Sequence, residues 1–233
     1  MTATLPTARD KERNAVRSRE DILDAAERLF AERGYEATSL SDVGREAGLS
    51  RAAPGYFFGS KAELHRAVLE RCFREVQSAV RAGRERALAS GEAPEVILAG
   101  VVSDYFDFVA SRPNFVKLVQ REALSERRTF ESMPVGLATG RAMTTALTQE
   151  LGLGAGDEPE LTQMLFSLIA LTWFPHIHGE TLGRVVGLDP GQPTFVDERK
   201  RHVTELLRGW LAARRVGRSD LPSVPDHSQR SPR

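Results

Sequence analysis

The sequence predicts an all-α protein with a compact front of short helices and a back of longer ones. Between residues 18 and 215, apolar residues recur at intervals of three and four, which is the spacing of one helix face. No segment shows the strict alternation that indicates a β strand. Prolines near the start of several segments mark helix beginnings, because the first N–H groups of a helix have no intrahelical acceptor.

The front consists of three predicted helices. The first spans residues 18–33, where Ser18 is the predicted cap. A short second helix begins after Ser39 and ends at Gly48. A tight turn leads to a third, very short helix, for which Ser50 is the predicted cap. Two short helices at this spacing form a helix-turn-helix, in which the first braces the second as it enters a DNA major groove.

The back is predicted to contain the longer helices. They are expected at residues 61–89, 92–110, 113–128, 133–151, 158–178 and 195–214. Pro175 is expected to kink or end its helix, and residues 179–194 are predicted as a loop. The predicted organisation is a flexible arm (1–17), a helix-turn-helix DNA-binding domain (18–66), a helical ligand-binding and dimerisation domain (67–215) and a flexible tail (216–233).

Composition limits the classes of protein to which this chain can belong. The 32 basic residues balance 32 acidic ones, so a DNA-binding role must depend on local residues rather than on overall charge. The single cysteine, Cys72, allows no disulfide framework within the chain, which favours a reducing compartment. The sequence shows neither a signal peptide nor the ~20 consecutive apolar residues needed to span a bilayer. We therefore expect a cytoplasmic protein.

The helix-turn-helix segment carries the side chains expected to contact DNA. Arg51 can donate two hydrogen bonds to guanine or pair with a phosphate, and the hydroxyl of Tyr56 can reach a phosphate. Lys61 lies near a helix N-terminus, where its charge and free N–H groups can converge on one phosphate. Leu49 and either Phe57 or Phe58 are expected to anchor the motif inside. The predicted DNA-binding residues are Thr38, Ser39, Ser50, Arg51, Ala52, Ala53, Tyr56 and Lys61.

The segment GYEATSLSDVGREAGLSRAAPGYFFGSKAEL resembles the DNA-binding segment of the TetR family, and the resemblance extends over about residues 18–68. It implies an omega-shaped, two-domain regulator. Two dipeptides depart from the common family pattern: Ala52-Ala53 replaces a frequent Gly-Thr, and Pro54-Gly55 replaces a Leu-Tyr or similar pair. Ala53 cannot hydrogen-bond a base, although its methyl group can touch a thymine methyl. We expect these changes to alter which sequence is bound rather than whether DNA is bound.

The back half is expected to bind a small molecule. The segment SRPNFVKLVQREALSER resembles the C-terminal domain of the same family, and aromatic residues cluster around it. Most of them belong to a core, but a bundle of this kind often leaves an apolar cavity. A small, largely apolar effector is therefore the expected ligand. The predicted pocket residues are Tyr105, Phe106, Phe108, Phe115, Phe166 and Trp173.

The last two long helices are expected to hold a homodimer. One short recognition helix covers only a few base pairs, so a specific site requires two helices on a pseudo-palindromic operator. Apolar stripes on residues 158–178 and 195–214 exceed what a peripheral helix needs, and pairing them across a twofold axis forms a four-helix bundle. The alternative is that they pack only within one chain. The predicted interface residues are Leu165, Ile169, Trp173, Val203, Leu206, Leu207 and Trp210.

Other functions have weaker support in the sequence. His176 and His178 do not share a helix face, and with His202 and Glu180 they do not complete a recognisable metal site. No nucleophile with a base, no carboxylate pair and no cofactor loop has a recognisable spacing, so neither catalysis nor a cofactor is predicted. The sequence therefore predicts a DNA-binding regulator, by default a repressor released by its effector. The alternatives are an activator, a regulator without an effector and, more distantly, a helical interaction module without a DNA role.

Overall fold

In the computed structural model, the described residues are 7–91, 93–127, 129, 133, 140, 141, 144, 145, 147, 148 and 151–219. These residues form α helices and contain no strand, which confirms the all-α prediction. The predicted helix at 133–151 lies mostly outside them. The α helices are α1 (Ala8–Arg33), α2 (Leu40–Glu46), α3 (Ala53–Phe58), α4 (Lys61–Ala89), α5 (Pro94–Ser111), α6 (Pro113–Ala123), α7 (Glu158–His178) and α8 (Phe195–Ser219).

Helix α1 is longer than the sequence predicted. It begins at Ala8, so the predicted flexible arm is wrong for residues 8–17, and Ser18 lies inside the helix rather than at its cap. The buried apolar stripe begins only at Ile22, and for this reason the start of the helix was predicted too late in the chain. Residues 8–17 are rich in Ala, Arg, Lys and Glu, which favour a helix even where the side chains are exposed.

The front core is built from α1 and α4. The predicted stripe of α1 is buried against apolar residues of α4, and the guanidinium of Arg71 lies 2.6 Å from the carboxylates of both Asp24 and Glu27. Cys72 is part of this core, and burial raises the pKa of its thiol to about 12. Its role is therefore packing rather than reactivity. The buried residues of this core include Ile22, Leu23, Ala25, Ala26, Leu29, Phe30, Leu64, Val68 and Leu69.

Pro175 does not end α7, which continues to His178 and then into a π-helical turn at Gly179–Gly183. Part of the predicted loop is therefore helical. A proline has no N–H to donate to the carbonyl four residues earlier, here that of Leu171. A side-chain N–H group of Arg199 on α8 donates to this carbonyl at 3.1 Å. The backbone acceptor left free by proline is thus satisfied by the neighbouring helix.

The long helices place α6 at the junction of the two halves. Helix α5 packs between α4 and α8, while α6 contacts α1 on one side and α5 and α7 on the other. Helix α6 begins at Pro113 as predicted, whereas α5 begins at Pro94 rather than at the predicted residue 92. Across the part of the chain that is described, none of the helices has the length and apolar character required to cross a membrane.

Candidate DNA-binding site

A capping box fixes the start of α2. The hydroxyl oxygen of Ser39 accepts the N–H of Asp42 at 3.1 Å, and the Asp42 carboxylate accepts the N–H of Ser39 at 3.3 Å. The Ser39 hydroxyl also donates to the Asp42 carboxylate at 2.6 Å, and this bond, followed by the one from the Ser39 N–H, lowers the pKa of Asp42. Two N–H groups that a helix start leaves free are thereby satisfied. The prediction that α2 begins after Ser39 is confirmed.

The turn between α2 and α3 packs directly on the backbone of α2. Gly48 adopts a φ of +69°, and the next residue, Leu49, donates its N–H to the carbonyl of Gly44 at 2.9 Å. A β-carbon at position 44 would lie 2.5 Å from the carbonyl oxygen of Ser50 and 3.0 Å from the Cα of Arg51. Only glycine permits this approach, so Gly44 sets the distance between the two helices. This role of Gly44 was not predicted from the sequence.

Helix α3 begins later than predicted. Its N-cap is Ala52, which makes no side-chain capping bond, so the prediction of a Ser50 cap is wrong. The backbone carbonyl of Ser50 instead accepts the N–H of Ala53 at 3.0 Å. Pro54 is buried in the first turn, where its lack of an N–H costs nothing.

The outer face of this motif presents five of the predicted residues to solvent, namely Ser39, Ser50, Arg51, Ala52 and Tyr56. Tyr56 is 86% exposed. Within the described residues, the guanidinium of Arg51 and the hydroxyl of Tyr56 have no hydrogen-bond partner, so both groups are free to bind a phosphate or a base. Beneath them, Leu49, Phe57 and Phe58 are packed against the core, and both phenylalanines serve as anchors.

Thr38 does not belong to the exposed face. It is 2% exposed, and its hydroxyl donates to the carbonyl of Gly34 at 2.8 Å. The Thr38 hydroxyl is therefore not available for the predicted DNA contact, because the side chain closes the end of α1 instead. Ala53 is half-buried and faces the core in part, so its methyl group is less available to a base than expected.

Lys61 has an unforeseen partner. Its ammonium group donates to the backbone carbonyls of Tyr35 at 3.0 Å and Glu36 at 3.5 Å, and it lies 4.2 Å from the centre of the Tyr35 ring. The first residue of α4 is thus tied to the segment that follows α1. Lys61 is half-buried at the edge of the candidate surface, so we expect it to support the motif as well as to attract phosphate.

The different environments of Arg51 and Lys61 predict different losses on substitution. Arg51→Ala should leave the melting temperature unchanged, relax base preference at one position in each half-site and weaken specific binding by about 1–3 kcal/mol per contact. Lys61→Ala should weaken binding to all sequences, reduce the salt slope by about 1 and lower the melting temperature. Fluorescence anisotropy on specific and random duplexes at several salt concentrations measures the affinities and the salt slope, and thermal unfolding measures the melting temperatures. Equal effects of the two substitutions on specific and random DNA would contradict this assignment.

Polar contacts join the DNA-binding half to α6, one through the exposed Arg121 and one through the buried pair His65 and Glu122. Arg121 donates to the carbonyls of Ala31 at 2.9 Å and Glu32 at 2.7 Å, which lie in the last turn of α1. Cationic side chains are favourable there because the carbonyls have no intrahelical partner. On α4, His65 is buried with its Nε2 atom 3.9 Å from an oxygen of Glu122. Neither Arg121 nor Glu122 was predicted from the sequence to have a role.

The buried His65 makes stability depend on pH. Burial lowers its pKa from 6.5 to about 4, so the unfolded chain binds this proton more readily than the folded one. Neutral His65 makes its full contribution to the free energy of unfolding above pH 6.5, and this contribution is lost as the pH falls toward 4. We expect a loss of about 3 kcal/mol over this range. Urea unfolding of the wild type and of His65→Gln at a series of pH values measures it, and an equal pH dependence in both proteins would refute the assignment.

Three of the predicted pocket residues line one cavity of about 200 Å³ between α4, α5, α6 and α7, namely Tyr105, Phe115 and Trp173. The indole N–H of Trp173 donates to the hydroxyl oxygen of Tyr105 at 2.6 Å. Phe108 is buried behind Phe115. Phe106 is also buried, away from this cavity, and Phe166 is 69% exposed on the outside of the protein, so its assignment to the pocket is wrong.

Some of the predicted dimer residues are buried within the protomer and others are partly exposed. Leu165, Val203 and Leu207 are buried within the protomer, so their side chains are not exposed for the predicted contact with a partner. Ile169, Trp173 and Trp210 are half-buried, and Leu206 is 49% exposed. Phe166 and Phe174, which were not predicted to contact a partner, are exposed on α7. Among the described residues, no group of three or more His, Cys, Asp or Glu could hold a metal ion.

The comparisons with known proteins agree with this geometry. Residues 22–68 match the family described as bacterial regulatory proteins, tetR family, and residues 94–207 match the tetracyclin repressor-like C-terminal domain. The fold and the exposed helix-turn-helix define a DNA-binding transcriptional regulator. The chain belongs to the TetR family, which confirms the resemblance seen in the sequence.

Individual relatives extend the comparison. The chain is 28% identical over 156 residues to the HTH-type transcriptional activator FasR of Mycolicibacterium smegmatis, covering 66% of this chain and 68% of FasR. It is 43% identical over 56 residues to the HTH-type transcriptional regulator TtgR of Pseudomonas putida, covering 24% of this chain but only 27% of TtgR. A TetR-like transcriptional regulator from Rhodococcus sp. RHA1 has the same fold, with a TM-score of 0.62, 20% identity and coverage of 90% and 99% of the two chains.

Proposed function

We propose that this protein binds a pseudo-palindromic operator as a homodimer, represses transcription there and is released by a small apolar molecule. The observation that carries the DNA contact is the exposed surface formed by the turn before α3 and by α3 itself, where Arg51 and Tyr56 have no partner for their polar groups among the described residues. Such groups can bind phosphate and base edges without first breaking a contact in the protein. Because the proposed target is bacterial chromosomal DNA, we place the protein in the cytoplasm and assign it no catalytic step.

The exposed apolar face of α7 supports the dimer. Phe166, Ala170 and Phe174 lie four residues apart and are all exposed, so they form one stripe on the outside of the protomer. Leu206 lies exposed on α8, which packs beside α7. Large exposed apolar patches mark interaction surfaces. A second copy of this chain, related by a twofold axis, would cover the stripe and fix the distance between the two recognition helices.

Helix α6 supports a link between the cavity and DNA binding. Phe115 lines the cavity near the start of α6, and Arg121 holds the last turn of α1 near its end. A ligand that displaces α6 therefore changes the support of the helix-turn-helix. Because such coupling is reciprocal, operator DNA must weaken ligand binding by the same factor, typically about 5- to 150-fold.

A mobility-shift assay with the DNA upstream of the gene tests the proposal. We expect a discrete complex at nanomolar protein that random DNA does not displace. A transcriptional reporter then distinguishes repression from the alternative, activation. The similarity to FasR, an activator by name, supports that alternative. Higher reporter activity after deletion of the gene would indicate repression, and lower activity would indicate activation.

A further inference from the structure

We propose that the cavity beneath α6 binds an uncharged, ring-sized apolar molecule with one hydrogen-bond acceptor, and that the hydroxyl of Tyr105 donates to this acceptor. The proposal depends on the proposed function only in treating the cavity as the effector site. It goes further in naming the chemical class of the effector.

The size of the cavity limits the ligand. Its volume of about 200 Å³ is somewhat larger than an engineered cavity of about 150 Å³ that binds benzene. A single substituted ring fits this space, whereas a molecule with several fused rings requires the helices to move. Apart from Tyr105 and Trp173, the side chains from the described residues around it are apolar, among them Phe73, Val101, Phe115 and Leu168.

The hydroxyl of Tyr105 is the polar group that can recognise a ligand. Tyr105 is 7% exposed, and its oxygen accepts the indole N–H of Trp173 at 2.6 Å. That bond uses a lone pair and leaves the hydroxyl hydrogen available. In the part of the chain that is described, no acceptor takes this hydrogen. A buried donor without an acceptor is unfavourable, so a ligand that brings an acceptor gains affinity over one that does not.

The same lining disfavours a charged ligand. Among the described residues that line the cavity, none is charged. A carboxylate or an ammonium group would lose its hydration there without gaining an ionic partner. A ketone carbonyl satisfies the Tyr105 donor at a much smaller desolvation cost, so an aromatic ketone represents the expected class.

Calorimetry with three probes of similar size tests the inference. Acetophenone carries a ring and a ketone, ethylbenzene lacks the oxygen, and benzoate replaces the ketone with a charge. We expect acetophenone to bind the full chain and Tyr105→Phe to weaken it about tenfold, the factor that corresponds to one hydrogen bond. Tyr105→Phe should leave ethylbenzene affinity unchanged, and benzoate should not bind. Val80→Phe, which narrows the cavity, should abolish acetophenone binding.

The inference is overturned if acetophenone does not bind, if Tyr105→Phe leaves the affinity for acetophenone unchanged, or if benzoate binds as tightly as acetophenone. Thermal unfolding of both variants verifies that they fold. A mobility shift with acetophenone separates this inference from the proposed function. Binding as expected without a change in operator affinity would retain the ligand class and reject control of DNA binding by the cavity. An operator complex in a protein that binds none of the probes would reject the ligand class alone.

Discussion

Gly44→Ala should lower operator affinity at least about thirtyfold, because two half-sites each lose contacts worth about 1–3 kcal/mol. The added β-carbon would lie 2.5 Å from the Ser50 carbonyl oxygen. This neighbour is backbone, so the turn must move and Arg51 must move with it. We also expect a loss of about 1–3 kcal/mol in the free energy of unfolding, as for other overpacked positions.

A matched control exists in α5. At Gly100, a β-carbon would have no heavy atom within 4 Å, so Gly100→Ala adds the same methyl group without a clash. It should be neutral or stabilise the helix by up to about 1 kcal/mol, with operator affinity unchanged. Urea unfolding and fluorescence anisotropy on both variants provide the comparison. Wild-type operator affinity in Gly44→Ala would show that the close approach does not position the recognition helix.

Phe166→Glu combined with Leu206→Glu should convert the dimer into a folded monomer. Both side chains are about half exposed or more in the protomer, so the substitutions disturb little within one chain. In a twofold interface they would bury four carboxylates. We expect the dimer dissociation constant to rise at least about a thousandfold, or about 4 kcal/mol, and operator binding to fall steeply.

Leu124→Glu is the control for the dimer. Leu124 follows the end of α6 and is 81% exposed, outside the stripe of α7. It should leave both the molecular mass in solution and the operator affinity unchanged. Sedimentation equilibrium at micromolar protein measures the mass of each variant. A double variant that remains dimeric and binds the operator normally would place the interface elsewhere.

The positions of the long helices were predictable because their signals are local. The predicted bounds of α4 and α7 agree with the structure, since apolar spacing and first-turn prolines depend only on neighbouring residues. The start of α1 was missed because its first turns bury no apolar stripe. The prediction of a cap at Ser50 is wrong because residues 51 and 52 remain in the turn and Pro54 takes the first turn of α3.

The roles of individual side chains depended on tertiary contacts. Thr38 and Ser39 are adjacent and chemically similar, yet Thr38 points into the core and Ser39 is exposed. Helix α7 has apolar residues on two faces. Leu165 and Leu168 pack inward while Phe166 and Phe174 face out, so spacing alone could not indicate which stripe is left for a partner. The close contact at Gly44 involves backbone atoms and leaves no pattern of side chains in the sequence.

Selection of bound duplexes from a random DNA library, followed by stoichiometric titration of the enriched sequence, is the decisive test of sequence-specific binding by a dimer. We expect an enriched pseudo-palindrome with two half-sites about one helical turn or more apart, bound by two protomers. Arg51→Ala should relax one position in each half-site of that sequence. Enrichment of no sequence, or tight binding of one protomer to a single asymmetric site, would contradict it.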